Sequence, residues 1–376
     1  MILGLLKEHS NETRVALLPD IVQNLTELKV EVLVEQSAGE KAFASDADYK
    51  EAGASVVSRK EIFEKADVLL QIQPPSDDDL KNLKETQVWI SAFNPLWEKE
   101  LVKTFQGKKV TTFSLDSIPR TTKAQAMDIL SSMATVAGYK AVLDAAYRLP
   151  TFFPMFMTAA GTIRPANVLI LGAGVAGLQA TATARKLGAQ VYVFDVRSAV
   201  KEEVKSLGGK FVEVEGATED KDAGGYAVEQ TEEYKKKQQE AIDAQAVKSD
   251  VIICTAQIPG RKAPLLISKA TVEKMKPGAI IVDLAASTGG NCELTKNNEV
   301  VEFQNKTIIG QSNYPAVTPL DASRMFSKNV LNFLKLIIGE EGALNLNFED
   351  EIVKGTCITH QGELYNERVK SIIENN

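Results

Sequence analysis

Residues 167–197, NVLILGAGVAGLQATATARKLGAQVYVFDVR, constrain the fold of this chain more than any other stretch. Gly172, Gly174 and Gly177 form G-x-G-x-x-G directly after an apolar run of strand length and at the start of a helix-forming segment. That context separates a built strand–turn–helix from a chance cluster of glycines. The first glycine allows a tight turn, the second lets the backbone approach a pyrophosphate, and the third lets helix pack closely on strand. An anion is then favoured at the helix N-terminus, where unpaired N–H groups and the helix dipole face it. The next apolar run ends near Asp195, close to the roughly 20-residue spacing of an acid that bonds the adenosine ribose. A carboxylate there repels a 2′-phosphate, so NAD(H) is expected over NADP(H). Arg197 leaves that choice less one-sided, since an exposed role and a binding role fit it equally.

The rest of the chain extends this pattern. Apolar runs of strand length occur at 31–36, 67–73, 88–93 and 110–115, separated by stretches with helical spacing, and a second set follows at 210–215, 250–256, 279–287 and 306–312. Such alternation predicts parallel strands with crossover helices. With 376 residues, two domains are expected. Two long helices, at 128–149 and 321–337, are expected to connect them. The predicted fold is therefore α/β: two Rossmann-like domains with parallel sheets, joined by two long helices with an intervening cleft. The expected boundaries are 1–135 plus 320–376 for the first domain and 136–319 for the second.

Composition removes several function classes. The net charge of -7 argues against wrapping nucleic acid, which needs clustered Lys and Arg to neutralise phosphates. Cys254, Cys292 and Cys357 form no CxxC pair, so neither a disulfide framework nor zinc ligation is expected and a reducing compartment is. The opening apolar run is broken by Lys7 and Glu8, unlike a secretory leader. No stretch approaches the roughly 20 apolar residues of a spanning helix, which leaves docking onto a membrane partner open.

Two further segments bear on chemistry. At 212–240 a long polar insertion carries Gly224, Gly225 and Tyr226; it suits either a closing loop with a glycine hinge beside an aromatic cover or a solvated excursion. Residues 120–128, RTTKAQAMD, place a guanidinium, an amide and a carboxylate together in a chain with only two histidines. His9 follows the first apolar run and His360 falls in the expected C-terminal tail, so neither is placed for acid–base work. On spacing alone the segment 120–128 is as much a solvated helix start as a site.

The segments ETRVALLP, RTTKAQAMDILSS, AGYKAV, MTAAGTIRPANVLILGAGVAGLQA, DVRSAVKEEVKSLGGKFV, DAGGYA, MKPGAIIVDLAASTGGN and GTCIT resemble, in order and over nearly the whole chain, the NAD(H)-binding component of proton-translocating nicotinamide nucleotide transhydrogenases. These share their fold with alanine dehydrogenases. That second family uses a lysine, a histidine and an aspartate to manage a proton. Here Gln73 stands where the lysine would fall, the strand WISAF has no histidine, and Ser287 replaces the aspartate.

The resemblance implies hydride transfer between NAD(H) on this chain and NADP(H) on a partner component, coupled to proton translocation by a membrane-spanning component. It implies that Arg120, Gln125 and Asp128, with Ser131 and Tyr139 nearby, serve the reacting nicotinamides. Thr121, Thr122, Ala126 and Met127 would line the same segment. Gly172, Gly174, Val175, Ala176, Gly177, Asp195, Val196, Arg197, Gly225, Tyr226, Gln238 and Gln257 would hold the nucleotide. Gln230 departs from the methionine of some relatives. A homodimer is implied, as is a cytoplasmic location at the inner face of the membrane through partner subunits. The alternatives are an alanine dehydrogenase-like amino-acid dehydrogenase and a non-catalytic NAD(H)-binding module.

Overall fold

The computed structural model describes residues 1–9, 11–214 and 231–374. The chain divides into two compact units, one made of Met1–Met133 and Pro315–Asn376, the other of Ala134–Tyr314. The first unit opens with β1 (Ile2–Leu5), β2 (Glu31–Glu35), β3 (Ser55–Val57), β4 (Val68–Leu70), β5 (Val88–Ser91) and β6 (Thr111–Ser114). The second holds β7 (Phe156–Thr158), β8 (Gly161–Ile163), β9 (Asn167–Leu171), β10 (Gln190–Phe194), β11 (Lys210–Phe211), β12 (Val251–Cys254), β13 (Ile280–Asp283), β14 (Val300–Phe303) and β15 (Lys306–Ile309). The chain then returns to the first unit for β16 (Cys357–His360) and β17 (Glu363–Leu364).

In the first unit the strand order is β17-β16-β6-β5-β4-β1-β2-β3, with β1 to β6 all parallel and β16 antiparallel to β6. Alternate residues explain why the sheet needs cover on both sides. Leu3, Leu5, Val68, Leu70 and Ile90 join Phe326, Val330 and Phe333 of the helix Pro319–Ile337 in one core. Leu33, Leu69 and Trp89 face the other way, onto Ile62, Phe63 and Phe105. A parallel sheet buried on both faces yields the near-continuous apolar strands seen here.

The second unit follows the same logic, with the order β11-β10-β9-β12-β13-β15-β14. Val168, Ile170, Val191 and Val251 pack against Ala141, Val142 and Ala145 of the helix Ile129–Arg148, while Leu169, Leu171, Ile252 and Ile281 pack against Ile242, Val272 and Met275. Parallel strands therefore dominate both sheets. Two expectations differ from the structure. The run at 210–215 pairs only over Lys210–Phe211. It lies at the sheet edge, and Glu213 beyond it ion-pairs with Lys201 instead of entering a core. His360 lies in β16 rather than in a tail, its Nδ1 2.9 Å from the Thr111 hydroxyl. Burial lowers its pKa.

Small residues let two helices of the second unit meet. A Cβ at Gly138 would lie 2.1 Å from the Ala176 carbonyl oxygen, a separation that the backbone has to relieve by moving. Gly138→Ala is expected to destabilise the second unit by about 1–3 kcal/mol, the usual cost of overpacking. Thermal unfolding of the full chain checks this; an unchanged melting temperature would mean that the helices are not held at this distance.

Candidate functional site

In the second unit the strand order reverses between β9 and β12, and in open α/β sheets ligands bind beyond the carboxyl ends of the strands at that point. The glycine loop emerges there. Gly172 has φ +100, a left-handed conformation that glycine adopts without a steric penalty. A Cβ on Gly177 would lie 1.9 Å from the Gly172 carbonyl oxygen, so only glycine permits this approach of helix to turn. Gly174 differs from both. It caps the helix Val175–Lys186, is exposed, and an added Cβ would meet nothing within 4 Å. The bare backbone and the exposed Val175 beside it leave the helix N-terminus open to an anion, so these residues fit a dinucleotide pyrophosphate.

The Asp195 carboxylate ties the next strand to this loop. Its Oδ2 accepts the Ala173 N–H at 2.7 Å. The Arg197 guanidinium also binds it through Nε at 2.9 Å and Nη2 at 2.8 Å, and hydrogen bonding to Asp195 raises the Arg197 pKa. Val196 is half-buried between them.

On the other side of the switch point, the Thr255 hydroxyl donates to the carbonyls of Leu171 and Gly172, both at 3.1 Å, and the Gln257 amide donates to Leu284 at 3.0 Å. Gln238 is half-buried on the helix Glu232–Ala246. Gly225, Tyr226 and Gln230 lie outside the described residues.

Two residues important here escaped sequence reasoning. Asn291 accepts the Ala256 N–H at 3.0 Å and donates to the carbonyls of Ala256 and Pro264 at 2.9 and 2.8 Å. Asp283, fully buried, accepts the N–H groups of Ala285, Asn291 and Cys292 and the Thr295 hydroxyl. Burial raises its pKa. Together they lock the loops after β12 and β13. The signal available was an acid closing an apolar run, followed by GGN.

In the first unit, residues 120–131 form a clamped segment. A 3-10 turn at Thr122–Met127 buries Ala124 and Met127 in the core and leaves Thr121, Thr122 and Gln125 exposed. Asn329 and Asn332 of the helix Pro319–Ile337 donate to the Ala126 carbonyl at 2.8 and 3.1 Å. Asp128 accepts the Ser131 N–H at 2.9 Å and its hydroxyl at 2.6 Å, capping the helix Ile129–Arg148 as N-terminal acids do. Asp128 and Ser131 are thus brought together, Arg120 is exposed at the head of the segment, and Tyr139 is 43% exposed within the second unit.

The first unit has its own switch point, between β1 and β4. Glu8 is buried there and accepts the N–H groups of Ile72 and Gln73 at 2.6 and 3.1 Å. Burial pushes its pKa up to about 8 despite these bonds. Gln73 accepts the His9 N–H at 3.1 Å, and Ser287 is exposed in the second unit. Among the described residues no cluster suited to a metal ion occurs.

The fold and the glycine loop define a two-unit α/β protein of the dinucleotide-binding class. Alanine dehydrogenase/PNT, N-terminal domain, matches residues 4–137, and Alanine dehydrogenase/PNT, C-terminal domain, matches residues 141–367. The chain belongs to this alanine dehydrogenase/PNT family. It is 44% identical over 362 residues to the first portion of the NAD(P) transhydrogenase subunit alpha of Rhodospirillum rubrum, a separate chain there, covering 94% of each. A transhydrogenase crystal structure from Sinorhizobium meliloti superposes with a TM-score of 0.88 at 40% identity, covering 97% of this chain and 100% of that one. Alanine dehydrogenase of Mycolicibacterium smegmatis is 26% identical, covering 98% of this chain and 96% of its own. The family implies NAD binding, and the transhydrogenase names of the nearer relatives support an oxidoreductase role within a complex.

Two outcomes check this geometry. Gly174→Ala fills open space with an ordinary φ, so the melting temperature is expected to hold while NADH affinity falls by about 10-fold or more, as the backbone loses its close approach. Equal affinity in the two proteins would refute the pyrophosphate site. Glu8 has a folded pKa above its unfolded value near 4.5, so the native state binds its proton more tightly and stability declines as pH rises from about 4.5 to about 8. Glu8→Gln removes that decline, and melting curves at pH 5.5 and 8.5 should show a shallower loss in the variant; parallel losses would mean that Glu8 ionises normally.

Proposed function

We propose that this chain is the NAD(H)-binding subunit of a proton-translocating NAD(P) transhydrogenase. Hydride would pass directly between NAD(H) held here and NADP(H) held by a partner component, with proton translocation carried by a membrane-spanning component. Gln125 is the observation that carries this proposal: its amide is exposed on a segment pinned from behind by buried Ala124 and Met127 and by two asparagines on the Ala126 carbonyl. An amide can donate to and accept from a carboxamide at once, and a rigid support converts that recognition into orientation.

Gly172, Gly174 and Gly177 would hold the pyrophosphate, with Val175 and Ala176 at the helix start. Asp195, Val196 and Arg197 would hold the adenosine end, with Gln238, Gln257 and the Gly225–Tyr226 loop closing on it. NAD(H) would supply the reacting ring carbon and its hydride. Such a transfer moves no proton on the reacting atoms, so no general acid or base is required and positioning becomes the main catalytic device. Arg120 would contribute charge-assisted bonds at the head of the segment, while Asp128, engaged by Ser131, fixes where the segment meets the helix. Tyr139 would contribute from the helix that follows. The bland occupants of the alanine dehydrogenase proton-handling positions, Gln73 and Ser287, support transhydrogenation over amino-acid oxidation.

A homodimer is supported by the surface around β7 and β8, where Phe152, Met155, Phe156, Met157 and Ile163 are all exposed; such apolar patches mark protein contacts. No described helix is long and apolar enough to cross a membrane. A place at the inner face of the cytoplasmic membrane would therefore depend on the partner subunits.

Mixing the chain with an NADP(H)-binding component should produce hydride transfer between the two nucleotides. Gln125→Asn withdraws the amide by one methylene, and single-turnover transfer should fall by about 10- to 100-fold while NADH affinity changes little. No transfer by the unmodified pair, or turnover of pyruvate with ammonia by this chain alone, would overturn the proposal. A rate loss explained wholly by weaker NADH binding would remove Gln125 from the positioning role.

A further inference from the structure

We infer that Arg197 is a specificity-determining residue that opposes Asp195: the carboxylate masks a guanidinium that otherwise attracts a 2′-phosphate, so nucleotide preference belongs to the pair. This inference rests on the glycine loop being the NAD(H) site. An ionised carboxylate has about four acceptor positions, and at Asp195 four bonds occupy them. Oδ1 accepts the Arg197 backbone N–H at 2.8 Å and Nε at 2.9 Å. Oδ2 accepts the Ala173 N–H at 2.7 Å and Nη2 at 2.8 Å.

The four bonds are not equally exchangeable. Two come from backbone that shapes the glycine turn and the end of β10. The other two come from a side chain that is 28% exposed, whereas the Asp195 side chain is 6% exposed. A ribose hydroxyl that bonds Asp195 must therefore replace a guanidinium N–H.

For NAD(H) the exchange is donor for donor, and the carboxylate remains satisfied. A 2′-phosphate brings acceptor oxygens and negative charge and no such donor. Asp195 repels it, while the guanidinium suits it, since a planar fork of N–H groups matches phosphate geometry. With both side chains present the two effects partly cancel. Removing the arginine leaves a carboxylate without its counter-charge; removing the carboxylate leaves the arginine unmasked.

Equilibrium titrations of NADH and NADPH against the full chain and its variants test this. Arg197→Ala is expected to raise the ratio of NADPH to NADH dissociation constants by about 10-fold, the order of one charge-assisted hydrogen bond. Asp195→Ser should lower the ratio, and the double variant Asp195→Ser/Arg197→Ala should lose most of that gain. Arg197→Ala keeps both backbone bonds to Asp195, so this arm decides the matter even where Asp195→Ser fails to fold. A ratio within about twofold of the unmodified protein in Arg197→Ala, or an NADPH gain that survives in the double variant, would overturn the inference while leaving the NAD(H) site standing. Failure of the unmodified chain to bind NADH would overturn both.

Discussion

The approach of Gly177 to the Gly172 carbonyl, where a Cβ would sit at 1.9 Å, is the constraint on which the second unit depends. It brings the helix Val175–Lys186 onto the end of β9. The Thr255 hydroxyl then bonds the carbonyls of Leu171 and Gly172, tying β12 to the same turn. Asp195 completes the arrangement from β10 by accepting the Ala173 N–H. Three adjacent strands thus converge on one short loop, and the bare backbone of Gly174 is left facing solvent. A larger residue at either tight glycine would move the loop and, with it, every group around it.

The first unit reaches rigidity by different means. Its segment 120–128 has no long regular structure and few internal backbone bonds, so its position comes from burial of Ala124 and Met127 and from Asn329 and Asn332 on the Ala126 carbonyl. Asparagine is a poor residue for a helix interior, and its presence twice on the helix Pro319–Ile337 makes sense once both amides are seen to hold another segment. Loops held in this way keep a side chain such as Gln125 in place without strain in the loop itself, which suits a chemistry governed by orientation.

Polar groups elsewhere are distributed consistently with that chemistry. The acids with raised pKa values at strand ends, Glu8 and Asp283, are enclosed by backbone donors, which suits loop closure rather than proton exchange with a ligand. His360 lies against Phe348 and Tyr365, with ring centroids 4.7 and 5.5 Å away, and is explained by packing. The three cysteines are buried, their pKa values raised by burial, so none is poised as a nucleophile.

Sequence alone determined the local elements whose causes are local: apolar runs for the buried parallel strands, the glycine spacing for the turn, and Asp195 at the end of the strand that follows. It did not reveal the hairpin β7–β8 or the antiparallel additions β14, β16 and β17, because short exposed or edge strands lack the continuous apolar run of a doubly covered one. Nor did it reveal the partners of Glu8, Asn291 or Asn329, since each bonds backbone far away in the chain. Arg197 shows the division most clearly. Its closeness to Asp195 was legible, but whether it faced solvent or the carboxylate depended on how the ends of β9 and β10 meet. Only the tertiary structure, by filling all four acceptor positions of one buried acid, decided that.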